Sequence, residues 1–450
     1  MRSLALALTI AAAAAHAQAL PGLVVSPDKR FLQTTEGKPF LYLADTAWEL
    51  FHRLNREEAD VYLRDRARKG FTVIQAVVLA ELGGLDVPNP YGHLPLEDRD
   101  PTKPVEAYFA HVDHIVDRAA ALGLRMAMLP TWGRYWSRRD PKLPTIFNAD
   151  NARVYGRYLG KRYREKPIIW VLGGDEDART PGERAVIDAM AEGLAEGGSK
   201  HLRTFHPRGP GQSSLHLNDA PWLDFHMSQS SHAARDHDNG LFIEFDRALT
   251  PVRPTLDAEP RYERVAVGFY FRDYNRLERF DDYDVRQAAY WALLAGACGH
   301  TYGHSSIWQM YRRGTAGAIF PDTTWQESLD HPGATQVGYI RRLFESRAWQ
   351  KLVPDQAMVK SGPMSGGAKV RAARASDGSF AFIYTPRGEA FTLDRSFFKG
   401  AVIRESWWDP RYGVITEIHT GGSDGFQTYK PPTEGRGQDW LLVLEAVAGQ

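Results

Sequence analysis

The residues in this chain best suited to chemistry are carboxylates at the ends of apolar runs. Pro167-Ile-Ile-Trp-Val-Leu-Gly-Gly-Asp-Glu-Asp177 stops on two glycines and three acids, and Arg253-Pro-Thr-Leu-Asp-Ala-Glu-Pro260 stops on Asp257 and Glu259. Two facing carboxyl groups can open a glycosidic bond. One, protonated, gives its proton to the leaving oxygen, while the other, ionised, attacks the anomeric carbon or activates water. Asp175 and Glu259 are the expected pair. Gly173 and Gly174 would leave room for a sugar ring beside Asp175, and Pro260 would stiffen the backbone behind Glu259. Each acid also has a plainer use. Asp177 with Thr180 could cap a helix, and Glu259 could pair with Arg261 or Arg264. Glu176 and Asp257 are the local rivals, Asp257 as a deeper partner on the same side of its strand as Glu259.

Such a pair works only if distant strand ends meet. Strand-like runs at Pro39–Ala44, Phe71–Leu79, Leu124–Leu129, Ile168–Leu172, Leu202–Phe205, Trp222–Met227, Pro254–Ala258 and Ala297–Tyr302 make eight. Helical periodicity separates most of them, at Asn55–Lys69, Val105–Leu122, Ala149–Tyr163, Pro181–Glu196 and Asp284–Leu294, and is poor between the fifth and sixth. Apolar strands alternating with helices predict a parallel sheet covered outside, an α/β fold. A doubly wound sheet would favour a glycine-rich phosphate loop early, whereas Asp45-Thr-Ala-Trp48 follows the first strand. The expected fold is a closed (β/α)8 TIM barrel, whose strand ends share one mouth.

After a helix near residues 332–347 the texture changes to short alternating runs spaced by Gly, Pro, Asp and Ser. This is the pattern of an antiparallel β-sandwich. The expected division is a signal peptide over 1–19, a barrel domain over 20–352 and a C-terminal sandwich over 353–450. The leader has Arg2, an apolar stretch from Leu4 to Ala15 and small-x-small sites at Ala15-His-Ala17 and Ala17-Gln-Ala19. It predicts a periplasmic or secreted protein. No later run approaches the ~20 apolar residues of a spanning helix, so no membrane insertion is expected.

Composition narrows the partners. Fifty-five basic side chains balance 55 acidic ones, with no basic block, which argues against nucleic acid as the main partner. Cys298 is the single cysteine, so no disulfide forms within the chain. Twelve Trp and 19 Tyr could stack on sugars or fill the core. Candidates for holding a polysaccharide or oligosaccharide are Asp45, Trp48, Trp132, His226, Gln229, Tyr262, His304 and Trp308, each at or just past a strand end; Tyr135 is a further one. Asp45 could instead close an Asx turn, His226 could be a satisfied structural histidine, and the tryptophans could be packing.

Rival chemistries have weaker signals. His232-Ala-Ala-Arg-Asp236-His-Asp238 offers metal-ligand types, with His232 and Asp236 on one face if the segment is helical. No His-Glu-x-x-His accompanies it, and no metal or cofactor is expected. No Gly-x-Ser-x-Gly elbow is present for a serine nucleophile. A noncatalytic glycan- or matrix-binding protein is the alternative from another class. It would have no need for both acids.

Tyr42-Leu-Ala-Asp-Thr-Ala-Trp-Glu-Leu-Phe51, Trp170-Val-Leu-Gly-Gly-Asp175, Asp257-Ala-Glu-Pro260 and Gly296-Ala-Cys-Gly-His-Thr-Tyr-Gly-His-Ser-Ser-Ile-Trp308 resemble the apiosidase-like glycoside hydrolases (family 140). The resemblance spans nearly all of the chain after the leader. It implies a catalytic barrel followed by a β-sandwich, with Asp175 as acid/base and Glu259 as nucleophile of a retaining reaction. The implied substrate is plant cell-wall pectin, cleaved within it at apiose in the side chains of rhamnogalacturonan II. For the C-terminal domain, packing on the barrel or contact with polysaccharide is a more economical expectation than collagen binding.

Overall fold

The computed structural model describes residues 20–139, 142 and 144–447; the leader expected over residues 1–19 lies outside the described residues. Eight parallel strands form the core: β1 (Tyr42–Thr46), β2 (Val73–Leu79), β3 (Arg125–Thr131), β4 (Ile168–Gly173), β5 (Arg203–His206), β6 (His226–Gln229), β7 (Thr255–Asp257) and β8 (Gly299–Tyr302). Their order is β5-β4-β3-β2-β1-β8-β7-β6, and a two-residue antiparallel strand, Gly211–Gln212, lies along β6. The gap between β5 and β6 closes through Asp224 N–H to Arg203 O at 2.8 Å and Thr204 Oγ1 to Phe225 O at 2.7 Å. The sheet is thus a barrel. Every residue of β2, β3 and β4 is buried, as strands enclosed on both faces require.

Helices α1 (Arg56–Arg68), α2 (Glu106–Ala121), α3 (Ala149–Tyr163), α4 (Pro181–Glu196), α5 (Gly240–Arg247), α6 (Asp282–Leu294) and α7 (Pro332–Glu345) accompany the strands. Capping boxes start several of them, Asn55 with Glu58, Asn148 with Asn151 and Thr180 with Glu183. Thr180 therefore caps α4, and Asp177 serves elsewhere. Between β5 and β6 there is one helical turn, Ser214–Leu217, which explains the weak periodicity there. Residues 232–236 form turns, so the helical face expected to pair His232 with Asp236 does not exist.

The C-terminal part is two antiparallel sheets. One has six strands, in the order Leu352–Pro354, Arg371–Ala375, Phe380–Thr385, Trp440–Ala446, Val402–Asp409 and Val414–Gly422; the other has three, Val359–Ser361, Phe391–Asp394 and Phe426–Tyr429. Phe391–Asp394 and Phe426–Tyr429 carry no strong strand signal in the sequence, nor does the hairpin formed by Leu23–Val25 and Leu32–Thr34. The six-stranded sheet joins the barrel along α6. Tyr290 stacks on Tyr384 at 4.8 Å and accepts a 2.9 Å bond from the Trp408 indole, and Arg286 meets the fully buried Asp439 at 2.8 Å. One hydrophobic core runs through both. Among the described residues no helix is long and apolar enough to cross a membrane.

Candidate active site

A cavity of about 550 Å3 opens at the C-terminal ends of the strands, and Asp175 and Glu259 both line it. The backbone reaches Asp175 through three successive left-handed residues, Gly173 (φ 98°), Gly174 (φ 95°) and Asp175 itself (φ 62°). A Cβ on Gly173 would meet His206 O at 2.4 Å, and one on Gly174 would meet Gly133 N at 3.0 Å. The two glycines therefore let this strand end pass between its neighbours. The space they leave is filled by backbone, which corrects the expectation that it admits a sugar ring. Asp175 tolerates its own left-handed φ because a short polar side chain is among the few that do.

Glu259 is held differently. His232 Nε2 bonds Glu259 Oε1 at 3.1 Å, and His206 Nε2 lies 3.1 Å from Glu259 Oε2. The Asp175 N–H donates to His206 Nδ1 at 3.3 Å, so that nitrogen is bare and the ring proton sits on Nε2, facing the Glu259 carboxylate. One imidazole thus touches both strand ends, by a hydrogen bond at Asp175 and by a 3.1 Å approach that lacks hydrogen-bond geometry at Glu259. Burial would raise the pKa of Glu259, but the two imidazoles outweigh it and hold this carboxyl well below the usual range. Asp175 accepts no hydrogen bond among the described residues. Burial, followed by the negative charge of Glu259, pushes its pKa up, against smaller opposing effects of His206 and Arg208. A carboxyl with raised pKa and one with lowered pKa thus share a cavity, which is the division of labour that glycoside cleavage requires.

The rest of the cavity mixes aromatic and polar groups. Trp48 and Trp132 pack at 5.5 Å, and Trp48 meets the His206 ring edge-on at 5.3 Å. Trp308, Gln229 and Tyr262 also line the space, and Gln229 Oε1 has no partner among the described residues. Five of the eight expected sugar-holding residues are therefore brought together with the acid pair.

The other three are not. Asp45 is fully buried, bonded by Tyr62 at 2.7 Å and Arg66 at 2.5 Å, and lies off the cavity. His226 is buried against Ser213 at 3.2 Å. His304 sits between Ser306 N–H at 3.0 Å and His331 at 2.7 Å. Tyr135 bonds Ala80 O at 2.9 Å and is structural in the same sense. Of the rival acids, Glu176 turns to Arg139 at 2.9 Å, and Asp177 bonds Arg179 and the Arg208 N–H. Asp257 is the deeper partner, bonded by Ser230 Oγ at 2.6 Å and Asn239 at 2.9 Å. His232 and Asp236 diverge, His232 to Glu259 and Asp236 to Arg387 at 2.8 Å.

Three polar residues that bear on the acid pair are new: Glu81 and Arg208 line the cavity, and the fully buried His206 lies behind it against Glu259. His206 ends β5, Glu81 follows β2, and Arg208 lies two residues past β5. All three are polar residues at or just beyond apolar strands, the same signal that marked Gln229 and Tyr262. Burial, with the nearby charges of Glu49, Asp175 and Glu259, raises the pKa of Glu81 well above the carboxylate range. The Arg208 guanidinium has no hydrogen-bond or ion-pair partner among the described residues.

The family model described as "Apiosidase-like, catalytic domain" matches residues 26–351. The chain belongs to the apiosidase-like family. A second model, "Putative collagen-binding domain of a collagenase", matches residues 353–445 of this apiosidase-like protein. A solved structure described as "Glycoside hydrolase" is 32% identical, covering 96% of this chain and 98% of its own, with a TM-score of 0.87. A glycoside hydrolase family 5 protein from Bacteroides vulgatus is 30% identical over 94% of each chain, with a TM-score of 0.86. No curated protein matches. The apiosidase-like barrel, the carboxyl pair and these similarities make the chain a glycoside hydrolase-type enzyme with a carbohydrate substrate.

Proposed function

We propose that this protein is an exported, retaining glycoside hydrolase that cleaves pectic plant cell-wall polysaccharide at apiose-containing side chains. Asp175 is the acid/base and Glu259 the nucleophile. The unequal surroundings of the two carboxyls carry this reading: Glu259 faces two imidazoles, and Asp175 accepts no bond among the described residues. In the first step Glu259 attacks the anomeric carbon while Asp175 protonates the leaving oxygen. In the second, Asp175 takes a proton from the water that frees the sugar. Trp48, Trp132 and Trp308 supply apolar edges for the sugar, and Gln229 an acceptor for a hydroxyl. The family supports the apiose assignment. Arg208, a cation lining the cavity, suits a polymer that carries carboxylates.

The test is product analysis after incubation with a panel of pectic and arabinose-containing polysaccharides, followed by NMR of the anomeric configuration in the first turnovers. Apiose-terminated products of retained configuration are expected. Inverted product removes the nucleophile role of Glu259. Tight binding without any release favours a noncatalytic glycan-binding protein.

A further inference from the structure

The loop from Ser230 to Asn239 wraps the strand end that carries Glu259. At its start, Ser230 donates to Asp257 through its backbone N–H at 3.3 Å and its hydroxyl at 2.6 Å. The Ser231 N–H then donates to Glu259 O at 3.2 Å, and His232 bonds the Glu259 carboxylate at 3.1 Å. Further along, Arg261 donates to His237 O at 2.6 Å, and Asn239 closes the loop on Asp257 at 2.9 Å. Five residues of one loop thus touch three alternate residues of one strand end, 257, 259 and 261. The loop has no regular structure of its own before α5, and both Ser231 (φ 83°) and Asp236 (φ 57°) are left-handed. Something outside must hold it in shape.

The barrel supplies part of that support, through Gly268 N–H to His232 O at 2.8 Å and Arg235 to Asp284, and the C-terminal domain supplies the rest. Lys369 bonds Asp238 at 2.7 Å, and Arg371 grips the same carboxylate with Nη2 at 2.7 and 2.8 Å and Nε at 3.2 Å. Arg371 is only 3% exposed and reaches Glu244 of α5 as well, at 2.5 Å. Arg387 bonds Asp236 at 2.8 Å. Gly367 makes room for this last contact, because a Cβ there would meet the Asp236 carboxylate at 2.1 Å. The charges are complementary, and the Arg371 pair is bidentate and sheltered from solvent, the geometry in which such pairs hold position best.

We propose that the C-terminal domain sets the geometry of the nucleophile: Lys369, Arg371 and Arg387 fasten the Ser230–Asn239 loop so that His232 stays on Glu259. These three are positioning residues, acting through His232 and never touching the sugar. A domain that looks like an appendage is then a condition for full turnover.

The inference rests on the reading of Glu259 as nucleophile, and a double-mutant cycle separates the two. Full-length Arg371→Gln and the more exposed Arg387→Gln are each made alone and with His232→Gln, and the folded fraction is taken from thermal unfolding. Arg371→Gln is expected to lower kcat about tenfold, with KM within about twofold, because small displacements of a reacting group act on the chemical step. Arg387→Gln should do the same more weakly, and Arg371→Lys, which keeps the charge but not the bidentate fork, should recover only part of the loss. In the His232→Gln background both losses should shrink below about twofold, since the contact they act through is gone. Equal losses in both backgrounds, or losses that follow the unfolded fraction, overturn the proposal. If Arg371→Gln does not fold, the Arg387→Gln cycle gives the same decision. Full activity of Glu259→Gln would instead overturn the nucleophile reading itself.

Discussion

The ends of β4 and β7 face one cavity and are built in opposite ways. At β4 the backbone does the positioning: Gly173, Gly174 and Asp175 are all left-handed, and the Asp175 carboxyl has no donor among the described residues. At β7 side chains do it. Two imidazoles face the Glu259 carboxylate, Ser230 and Asn239 bond Asp257 two residues before it, and a second domain braces their loop. The difference follows from what each acid must do. A proton donor needs a raised pKa, which burial beside a negative charge supplies, whereas a nucleophile has to stay ionised in the same dry space, which takes donors. His206 serves both ends, accepting from the Asp175 backbone and facing the Glu259 carboxylate.

Removing the charge at the β7 end should have the largest consequence. Glu259→Gln is expected to lower kcat by ~10^4-fold or more, as loss of a nucleophile does, with the folded state retained; steady-state kinetics and thermal unfolding check both. At the β4 end Asp175→Asn should cost ~10²–10⁴-fold on a poor leaving group and much less on an activated aryl glycoside, which needs no proton. Asparagine keeps the left-handed backbone, so Asp175→Ala should lose stability that Asp175→Asn does not.

A pH profile tests the contrast itself. The pKa of Asp175 is pushed up to about 7, so kcat/KM should fall as pH rises through that value and the acid loses its proton. Glu259 is held low, so activity should persist well into acid before this carboxyl protonates. Asp175, Tyr262, His206 and His232 face Glu259, and the last two favour its ionised form. His206→Asn should therefore move the acid limb to higher pH. An acid limb that stays put would mean that the imidazole does not set this titration.

Smaller effects lie in the backbone. Gly174→Ala forces a side chain into a left-handed site 3.0 Å from Gly133 N, and should destabilise by ~1–3 kcal/mol, measured by denaturant unfolding, with reduced kcat. Smallest for catalysis is Asp45→Asn. It lies off the cavity, so KM should not change, while breaking its buried pair with Arg66 should cost ~3–5 kcal/mol of stability. A raised KM there would return Asp45 to the sugar.

Much of the barrel is legible in the chain because enclosed strands must be apolar along their whole length. Val73–Leu79 and Arg125–Thr131 announce themselves for that reason, and α3 and α4 by period and caps. Phe391–Asp394, which alternates buried and half-buried residues, and the mostly exposed Phe426–Tyr429 leave no such trace. In the site, the rule that polar residues end strands finds Gln229 and Tyr262 and would have found His206 and Glu81. It also misplaces Asp45, His226 and His304. Whether a strand-end side chain faces the cavity depends on partners far along the chain: Arg66 draws Asp45 aside, and His331 occupies His304.

Eight apolar runs alternating with helices, with acids at the ends of two of them, can be read straight from the chain. These are local properties, set by residue type and period. Which acid has the raised pKa and which the lowered one depends on the packed fold. Proton affinity answers to the surroundings, and those come from β5, from the loop after β6 and, through Arg371, from a domain more than a hundred residues away. A pattern of residues can name two carboxyls. It takes the packed fold to make them different.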